Sequence, residues 1–334
     1  MTLPLLSALF TAFALSLYVL LDGFDLGVGA LLLGQADERL RDRMVDSIMP
    51  TWDGNETWLI MAGVALLAAF PIAYGVLLPA FYIPLIVMLL ALGLRGVSFE
   101  FRYQIEQGRR FWDAAFGVGS IVAALMQGLI VGGLIQGVNV SVNSGGEGFG
   151  GSVFDVFRPF PALTAITVFA GYVVLGAGWL HLKATAALRA YAECSLRLAV
   201  PVFVCLAAAT CAAAAWVQPG IRAAWAAHTY ALVVIAVLFL GVSAALLRAI
   251  GGRADGRPFC LALALFVLGV AGLGFGIFPD IVPFRLTLWA AASSTLSHVF
   301  LLIGAAVVTP VVLAYSAFAY RTFRGKTPEK GWEA

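Results

Sequence analysis

The sequence predicts an all-α integral membrane protein with nine transmembrane helices. Hydrophobic residues make up 62% of the chain and charged residues only 11%, against about a quarter charged in soluble domains. The mean hydropathy is +0.97. Apolar runs long enough to cross ~30 Å of hydrocarbon recur along the whole chain. The predicted spans are residues 4–33, 55–74, 76–98, 114–137, 159–182, 197–217, 227–248, 258–278 and 295–320.

The distribution of basic residues predicts how these helices are oriented. Of the 20 Lys and Arg residues, 17 follow the first, third, fifth, seventh and ninth spans. The opposite loops hold only Arg158, Arg222 and Arg285. Because basic residues accumulate on the cytoplasmic side, the N-terminus is expected in the periplasm and the C-terminus in the cytoplasm. A single missed helix would abolish this asymmetry, so the asymmetry also supports the number of spans.

The first span contains two carboxylates, Asp22 and Asp25, within the hydrophobic segment 18–29. They are one helical turn apart and therefore project from the same face of the helix. A lone carboxylate in hydrocarbon is costly, so it is retained where a partner, water or chemistry uses it. At 1.5 Å per residue, Asp25 lies ~12 Å and Asp22 ~17 Å from the inner end of the span. Asp22 is thus expected near the midplane of the bilayer.

The second span begins with a half-polar turn that carries two further acids, Asp53 and Glu56, again three residues apart. Because this turn also holds Asn55, the second span is the weakest of the nine. Together with the acids of the first span, the pair would form a ladder from the cytoplasm to the middle of the membrane. Acids spaced for bridging waters are typical of a proton half-channel. Trp52 and Trp58 flank the turn, either as parts of this site or as interfacial anchors.

Structural alternatives to a proton path remain open from the sequence. Asp53 has the position of a helix N-cap, a role that is compatible with conduction. Asp22 and Asp25 could instead pair with an arginine that only stabilises the fold. Arg95, at the inner end of the third span, is expected within reach of Glu100 or of an acid on the second span. A solvated arginine that snorkels to the interface is the alternative.

Small residues and a short repeat indicate how the spans are arranged. Gly23, Gly27 and Gly29 predict close packing of the first span against a neighbouring helix. The run Tyr-Val-Leu-Leu at 18–21 has an echo, Tyr-Val-Val-Leu at 172–175 in the fifth span. Such a repeat would fit two four-helix bundles with the ninth helix as an outlier.

Ligation of metal or haem by this chain is not expected. Membrane haems are usually held by His or Met from facing helices. The four cysteines have no CxxC spacing and are interpreted as small core residues rather than ligands or disulfides. A single histidine ligand remains the alternative to no ligation. The histidines, which form no pair at matching depth, are His181, His228 and His298.

Several motifs together resemble subunit II of the cytochrome bd-type quinol oxidases over essentially the whole chain. Glu56 and the Phe-Glu-Phe-Arg run resemble the cyanide-insensitive branch, since the other branch often has Gln at the position of Glu56. The specific motifs are Asp-Gly-Phe-Asp-Leu-Gly at 22–27, Trp-Asp-Gly-Asn-Glu-Thr-Trp at 52–58 and Arg-Gly-Val-Ser-Phe-Glu-Phe-Arg at 95–102. The weaker matches are Gln127-Gly128, Pro159-Phe160 and the closing segment 320–326.

The resemblance implies one membrane domain over residues 1–334, with bundles at about 4–137 and 159–278 and a peripheral helix at about 295–320. It implies a bacterial inner-membrane complex with a subunit I that holds two b-type haems and haem d, oxidises quinol and reduces O2 to water. Subunit II ligates no haem in this family, and in some members it holds a structural quinone. The proton path from the cytoplasm begins at acids that correspond to Asp22 or Asp25 and to Asp53. Whether small single-helix subunits join is left open.

Two hypotheses of other classes use the same residues. A proton-coupled carrier would need the midplane acids and the repeat, but carriers usually break helices near the midplane, and no pair of interrupted helices is evident. A scaffold whose acids only stabilise assembly is the third hypothesis. The sequence therefore favours a proton-conducting subunit of a quinol:oxygen oxidoreductase that itself ligates no haem.

Overall fold

The fold is almost entirely helical. The computed structural model describes residues 2–104, 108–143, 146–252 and 256–327. The helices are α1 (Thr2–Leu32), α2 (Glu38–Ile48), α3 (Trp52–Ala69), α4 (Pro71–Ala80), α5 (Tyr82–Gln104), α6 (Arg109–Gln136), α7 (Pro159–Lys183), α8 (Ala186–Val217), α9 (Pro219–Ala227), α10 (Thr229–Ala249), α11 (Arg257–Ile277) and α12 (Thr295–Thr322). The antiparallel hairpins are β1 (Val140–Asn143) with β2 (Gly146–Phe149) and β3 (Asp280–Val282) with β4 (Leu286–Thr287).

Eight helices in the described part of the chain are long and apolar enough to cross a membrane. They correspond to the first and the third to ninth predicted spans, and they are α1, α5, α6, α7, α8, α10, α11 and α12. The helix α3, which corresponds to the second predicted span, is 18 residues long and is not among them. Its first two turns carry the polar residues of the 52–58 motif, which lower its hydropathy.

The boundaries of the second and third predicted spans differ from the structure. The apolar stretch 55–98 is divided into α3, α4 and α5, with breaks at Phe70 and Phe81. Pro71 lacks a backbone N–H and therefore begins a new helix more readily than it continues one. Hydropathy does not register these breaks, because the residues on both sides are apolar.

The helix α2 was not predicted and lies in a segment interpreted as a loop. The Asp37 carboxylate caps it by accepting a hydrogen bond from the backbone N–H of Arg39 at 2.9 Å. Met44, Val45 and Ile48 on one face are buried in the main core. With 11 residues, α2 is too short to cross a membrane.

The central contact of the molecule is between α1 and α7. A Cβ atom on Gly27 would lie 1.8 Å from the carbonyl oxygen of Tyr172, and one on Gly176 would lie 2.3 Å from the carbonyl carbon of Gly27. Only hydrogen fits at these two positions, which confirms the predicted close packing of the first span. Since α1 also packs on α3 and α6, its acidic turn is surrounded by protein.

The cysteines, and two of the basic residues, differ from the sequence analysis in what the structure describes. The four cysteines are unpaired, but all four are exposed, so their interpretation as core residues is wrong. They lie on the outer faces of α8 and α11, where a small apolar side chain is compatible with lipid. Arg253 and Lys330, which contribute to the charge asymmetry, lie outside the described residues.

Candidate functional site

Arg95 on α5 joins the acids of α1 and α3. Its guanidinium is fully buried, and its Nη2 donates to Asp22 Oδ1 at 2.6 Å and to Glu56. The Asp22 side chain is 0% exposed and the Glu56 side chain 25%. The expectation that Arg95 meets an acid of the second span is therefore confirmed. The alternatives are wrong: Arg95 is not solvated, and Glu100 is exposed on another face of α5.

Asp25 has a different environment from Asp22, although both are fully buried. Asn55 Nδ2 donates to Asp25 Oδ2 at 2.7 Å, and the Tyr320 hydroxyl of α12 donates to Asn55 Oδ1 at 2.9 Å. Among the described residues, no hydrogen bond reaches Asp25 Oδ1. Because a buried carboxylate oxygen without a donor is costly, a proton or a water is expected there.

Asp53 lies apart from the buried acids, on the exposed face of α3. The N-cap of this helix is Thr51, and Asp53 Oδ1 only accepts the backbone N–H of the next residue at 2.7 Å. The capping interpretation of Asp53 is therefore wrong. A small cleft of about 10 Å³, room for about one water molecule, lies beside this carboxylate and is also lined by Asn55 and Tyr320. The cleft leads from the exposed acid to the amide that contacts the buried one.

The two tryptophans of the motif pack inside the protein. Trp58 is fully buried and meets Phe13 edge to face at 5.9 Å between ring centroids, so its interpretation as an interfacial anchor is wrong. Trp52 stacks on Phe99 at 5.0 Å. The guanidinium carbon of Arg95 lies 6.0 Å from the Trp52 ring centroid, at the limit of a cation–π contact. Trp52 thus shields one side of the arginine.

The charges of the buried acid cluster, which we define as Asp22, Asp25, Glu56 and Arg95, are unequal. Asp22 and Glu56 contact the one guanidinium, which stays protonated in proteins, and the third carboxyl, Asp25, contacts the amide of Asn55. Ionising all three would leave excess negative charge at low dielectric, which is unfavourable. The cluster is therefore suited to hold ionised and protonated carboxyls side by side and to exchange protons between these states.

The sequence analysis missed a second ion cluster, where α5 ends and α6 begins. Asp113 is 4% exposed and accepts hydrogen bonds from Arg41 Nε at 2.7 Å and Arg102 Nε at 2.6 Å. Arg102 also pairs with Asp42 on α2. We call these four residues the arginine clamp, since they fasten α2 to the two membrane helices. The available signal was Asp113 near the start of an otherwise apolar run.

The analysis also missed a buried polar chain beside Asp22. The Tyr172 hydroxyl donates to Gln127 Oε1 at 2.5 Å, and Gln127 Nε2 donates to the Tyr18 oxygen at 2.7 Å. The three side chains come from α7, α6 and α1 and are at most 8% exposed. The signal in the sequence was a glutamine in the middle of an apolar span.

A groove of about 410 Å³ lies between α1, α7, α11 and α12. Its walls include Phe24, Trp179 and Phe259, and its lining also includes Lys183 and Arg324. Phe24 stacks on Trp179 with 4.4 Å between the ring centroids. An apolar groove with cations in its lining suits a long apolar molecule with a polar head.

The three histidines do not face one another. His181 is buried, with Nε2 3.4 Å from Glu193. His298 is buried at the other end of the molecule, with Nδ1 2.8 Å from the Ser7 hydroxyl, and His228 is exposed. Within the described ranges, no group of three or more His, Cys, Asp or Glu side chains is placed to hold a metal ion.

Comparisons with known proteins agree on one family. The family model described as cytochrome bd terminal oxidase subunit II matches residues 3–323. The chain is 30% identical over 356 residues to the cytochrome bd-I ubiquinol oxidase subunit 2 of Escherichia coli (strain K12), covering 95% of this chain and 93% of that protein. It is 27% identical over 323 residues to the cytochrome bd ubiquinol oxidase subunit 2 of Bacillus subtilis (strain 168), covering 94% and 93%.

The fold is similar to that of a chain in a solved structure, the bd oxidase from Geobacillus thermodenitrificans. The TM-score is 0.78 with 16% sequence identity, covering 97% of this chain and 99% of that chain. At this identity the likeness concerns the fold alone. The comparisons support the oxidase hypothesis and offer no support for the proton-coupled carrier.

Proposed function

The chain belongs to the subunit II family of cytochrome bd terminal oxidases, and on that premise we propose that its acids conduct protons from the cytoplasm towards the partner subunit. It is a subunit of a respiratory quinol:oxygen oxidoreductase of the bacterial inner membrane, and it pairs with the haem-bearing subunit I. Oxidation of quinol supplies electrons that reduce O2 to water, and the formation of water consumes protons.

The cleft beside Asp53 carries this proposal. It joins an exposed carboxylate, which can collect protons, to Asn55 and Tyr320, which line the cleft. Asn55 in turn donates to Asp25, whose second oxygen receives no hydrogen bond from the described residues. An exposed acid, a cleft and a buried acid in series are the elements that a proton entrance requires. Water in the cleft would bridge the gaps between them.

The rest of the buried acid cluster sets the charge around this entrance. Arg95 lies beside the path and disfavours the entry of other cations, while its positive charge favours ionised carboxyls nearby. Glu56, one quarter exposed, is a second position at which the cluster meets its surroundings. Glu100 is exposed on α5 and lies outside the path that we propose.

We also propose that α3 is the ninth membrane span. Its 18 residues give a length of ~27 Å, close to the hydrocarbon thickness. The helix packs along α1 and against α12, which is consistent with a parallel crossing. The packing also supports one membrane domain with bundles α1–α3–α5–α6 and α7–α8–α10–α11 and with α12 at the periphery. Nine crossings would place the N-terminus in the periplasm and the C-terminus in the cytoplasm.

The cofactors that we propose divide between the two subunits. The two b-type haems and haem d would be in subunit I, together with the quinol that it oxidises. In this chain, the groove lined by Phe24, Trp179 and Phe259 fits a structural quinone, since aromatic walls accept its ring and tail. Lys183, which also lines the groove, would face the polar head. A bound quinone would fill the space between the two bundles and stabilise their contact.

The experiment that tests the proton path is Asp25→Asn in the purified two-subunit complex. We expect quinol-driven O2 uptake to fall by about 100-fold, the low end of the range for losing a proton-transfer group. Haem content measured by absorbance should stay normal, because the amide keeps the size of the side chain and its contact with Asn55. Asp155→Asn is the matched control, since Asp155 is an exposed acid paired with Arg158 far from the cluster. Full haem with unchanged uptake in Asp25→Asn would exclude the conduction role.

A purely structural role remains the competing function for one acid. Asp22 is held by Arg95 at 2.6 Å, as a scaffold would require. If the scaffold hypothesis holds for both acids, Asp22→Asn and Asp25→Asn should both lower haem content and leave the turnover of assembled complexes unchanged. The proton-path hypothesis expects the opposite pattern for Asp25→Asn.

A further inference from the structure

We propose that a buried chain of hydrogen-bond donors fixes Asp22 as an ionised carboxylate, so that the neighbouring Asp25 is the carboxyl that exchanges protons. The chain consists of Tyr172, Gln127 and Tyr18, which we call the donor chain. These three act as positioning residues for Asp22. The role of Asp25 in proton exchange rests on the proposed proton path. The assignment of the negative charge to Asp22 does not depend on that path.

The donor chain has one direction. The contact between Tyr172 and Gln127 Oε1 is 2.5 Å, a distance typical of O–H···O and too short for N–H···O. The tyrosine hydroxyl therefore faces the amide oxygen, and the amide nitrogen faces Tyr18 at 2.7 Å. Because an amide nitrogen can only donate, the Tyr18 oxygen accepts this bond. The hydrogen of the Tyr18 hydroxyl is left to donate elsewhere.

Asp22 is the acceptor that this hydrogen can reach. Tyr18 lies one helical turn before Asp22 on the same face of α1, within hydrogen-bonding reach of its carboxylate. Asp22 Oδ1 is occupied by Arg95, whereas Oδ2 is buried and accepts no hydrogen bond from the described residues. A hydroxyl that accepts at its oxygen is polarised and donates more strongly. The donor chain would therefore be completed by turning the Tyr18 hydroxyl hydrogen towards the second oxygen of Asp22, which is the one left without a donor.

The charges of the buried acid cluster decide which acid benefits. One guanidinium can compensate about one carboxylate at low dielectric. Asp22 receives a charged donor on one oxygen and has the Tyr18 hydroxyl, the end of the donor chain, beside its carboxyl group. Charge-assisted bonds from such donors favour the ionised form. It is also fully buried, so it cannot replace these donors with solvent. Asp22 thus holds the negative charge that Arg95 compensates.

Asp25 has none of these supports. Its one donor in the described structure is the neutral amide of Asn55, and its Oδ1 receives no hydrogen bond. The negative charge of Asp22, one turn away, further disfavours a second anion. Glu56 also contacts Arg95, but it is partly exposed and can be stabilised by solvent. Asp25 is therefore protonated at rest and releases its proton only transiently.

The test is infrared spectroscopy of the purified two-subunit complex at neutral pH, in the C=O stretching region of protonated carboxyl groups. Asp25→Asn should remove one such band, because Asp25 is the protonated carboxyl at rest. Tyr18→Phe deletes only the terminal hydroxyl of the donor chain, and it should add one protonated-carboxyl band. That added band should persist in Tyr18→Phe/Asp25→Asn and disappear in Tyr18→Phe/Asp22→Asn.

The matched control is Tyr191→Phe, which removes a tyrosine hydroxyl that donates to the carbonyl oxygen of Leu31 at 2.8 Å, away from the cluster. Its carboxyl bands should equal those of the wild type. An Asp25→Asn spectrum that retains every protonated-carboxyl band, or a Tyr18→Phe spectrum identical to the wild type, would overturn the proposal. Should Asp22→Asn not assemble, Tyr18→Phe with and without Asp25→Asn still decides the matter.

The infrared result is independent of turnover. Normal O2 uptake in Asp25→Asn would refute the proton path while leaving the assignment of charge to Asp22 intact. Conversely, Asp25→Asn could lose O2 uptake while the Tyr18→Phe spectrum stays unchanged. That result would support the proton path and refute the proposed effect of the donor chain on Asp22.

Discussion

The buried acid cluster and the arginine clamp are both built from aspartate and arginine, but their charges are arranged differently. In the clamp, two arginines face Asp113 and Asp42, and each oxygen of Asp113 has its own guanidinium nitrogen. In the acid cluster, Asp22 and Glu56 share Arg95, and Asp25 has only the neutral amide of Asn55 as a donor in the described structure. A saturated cluster has no low-cost way to take up or release a proton, whereas one with excess carboxyls does. The comparison assigns the clamp to stability and the acid cluster to function.

The largest expected effect is on stability, from Asp113→Asn. The substitution leaves Arg41 and Arg102 facing each other without the carboxylate that separates them, and breaking a buried pair costs about 3–5 kcal/mol. Thermal unfolding of the complex would measure this loss, and turnover per assembled haem should be unchanged. The exposed Asp155→Asn should stay within about 0.5 kcal/mol of the wild type. If Asp113→Asn slowed turnover and left stability intact, the assignment of the arginine clamp to stability and of the acid cluster to function would be wrong.

A smaller effect is expected from Asp53→Asn, which should lower the rate of turnover. Asp53 is exposed at the cleft, so its loss should slow quinol-driven O2 uptake by up to about 10-fold, below the effect of a buried transfer group. The slowing should grow as the cytoplasmic-side pH rises, because a proton-collecting group matters most when protons are scarce. Uptake measured across a pH series checks this, with Asp155→Asn again as the control. A slowing that is the same at every pH would favour a local effect on the start of α3.

The smallest effect is expected from Tyr320→Phe. It removes the hydroxyl that donates to Asn55 Oδ1 at 2.9 Å, and a net hydrogen bond contributes about 0.5–1.5 kcal/mol. Asn55 then orients less strictly towards Asp25, so a modest decrease in O2 uptake should accompany a small decrease in thermal stability. Tyr315→Phe, on the same helix and lining the same cleft, is the matched control. Equal effects of both substitutions would indicate that cleft shape, and not the bond to Asn55, matters.

The comparison also shows which residues a sequence can reveal. Asp22, Asp25, Asp53 and Glu56 were identified because a carboxylate in or beside an apolar run is conspicuous by itself. The arginine clamp was not predicted, because Arg41 lies in a segment that resembles a charged cytoplasmic loop and Arg102 lies near the end of a membrane helix. A charge near an interface carries little information until its partner is known, and Asp113 is 72 residues from Arg41 in the chain.

The sequence by itself determined the membrane class, eight long apolar helices and the acids that matter, because hydropathy and residue type are local properties. Only the tertiary structure decided that Arg95 meets Asp22 across 73 residues and that Gln127 meets Tyr18 across 109. It also separated the buried acids from Asp53, although all four had been predicted as one ladder. The physical reason is that the charge of a buried acid depends on the donors around it, and helix packing brings those donors from distant parts of the chain.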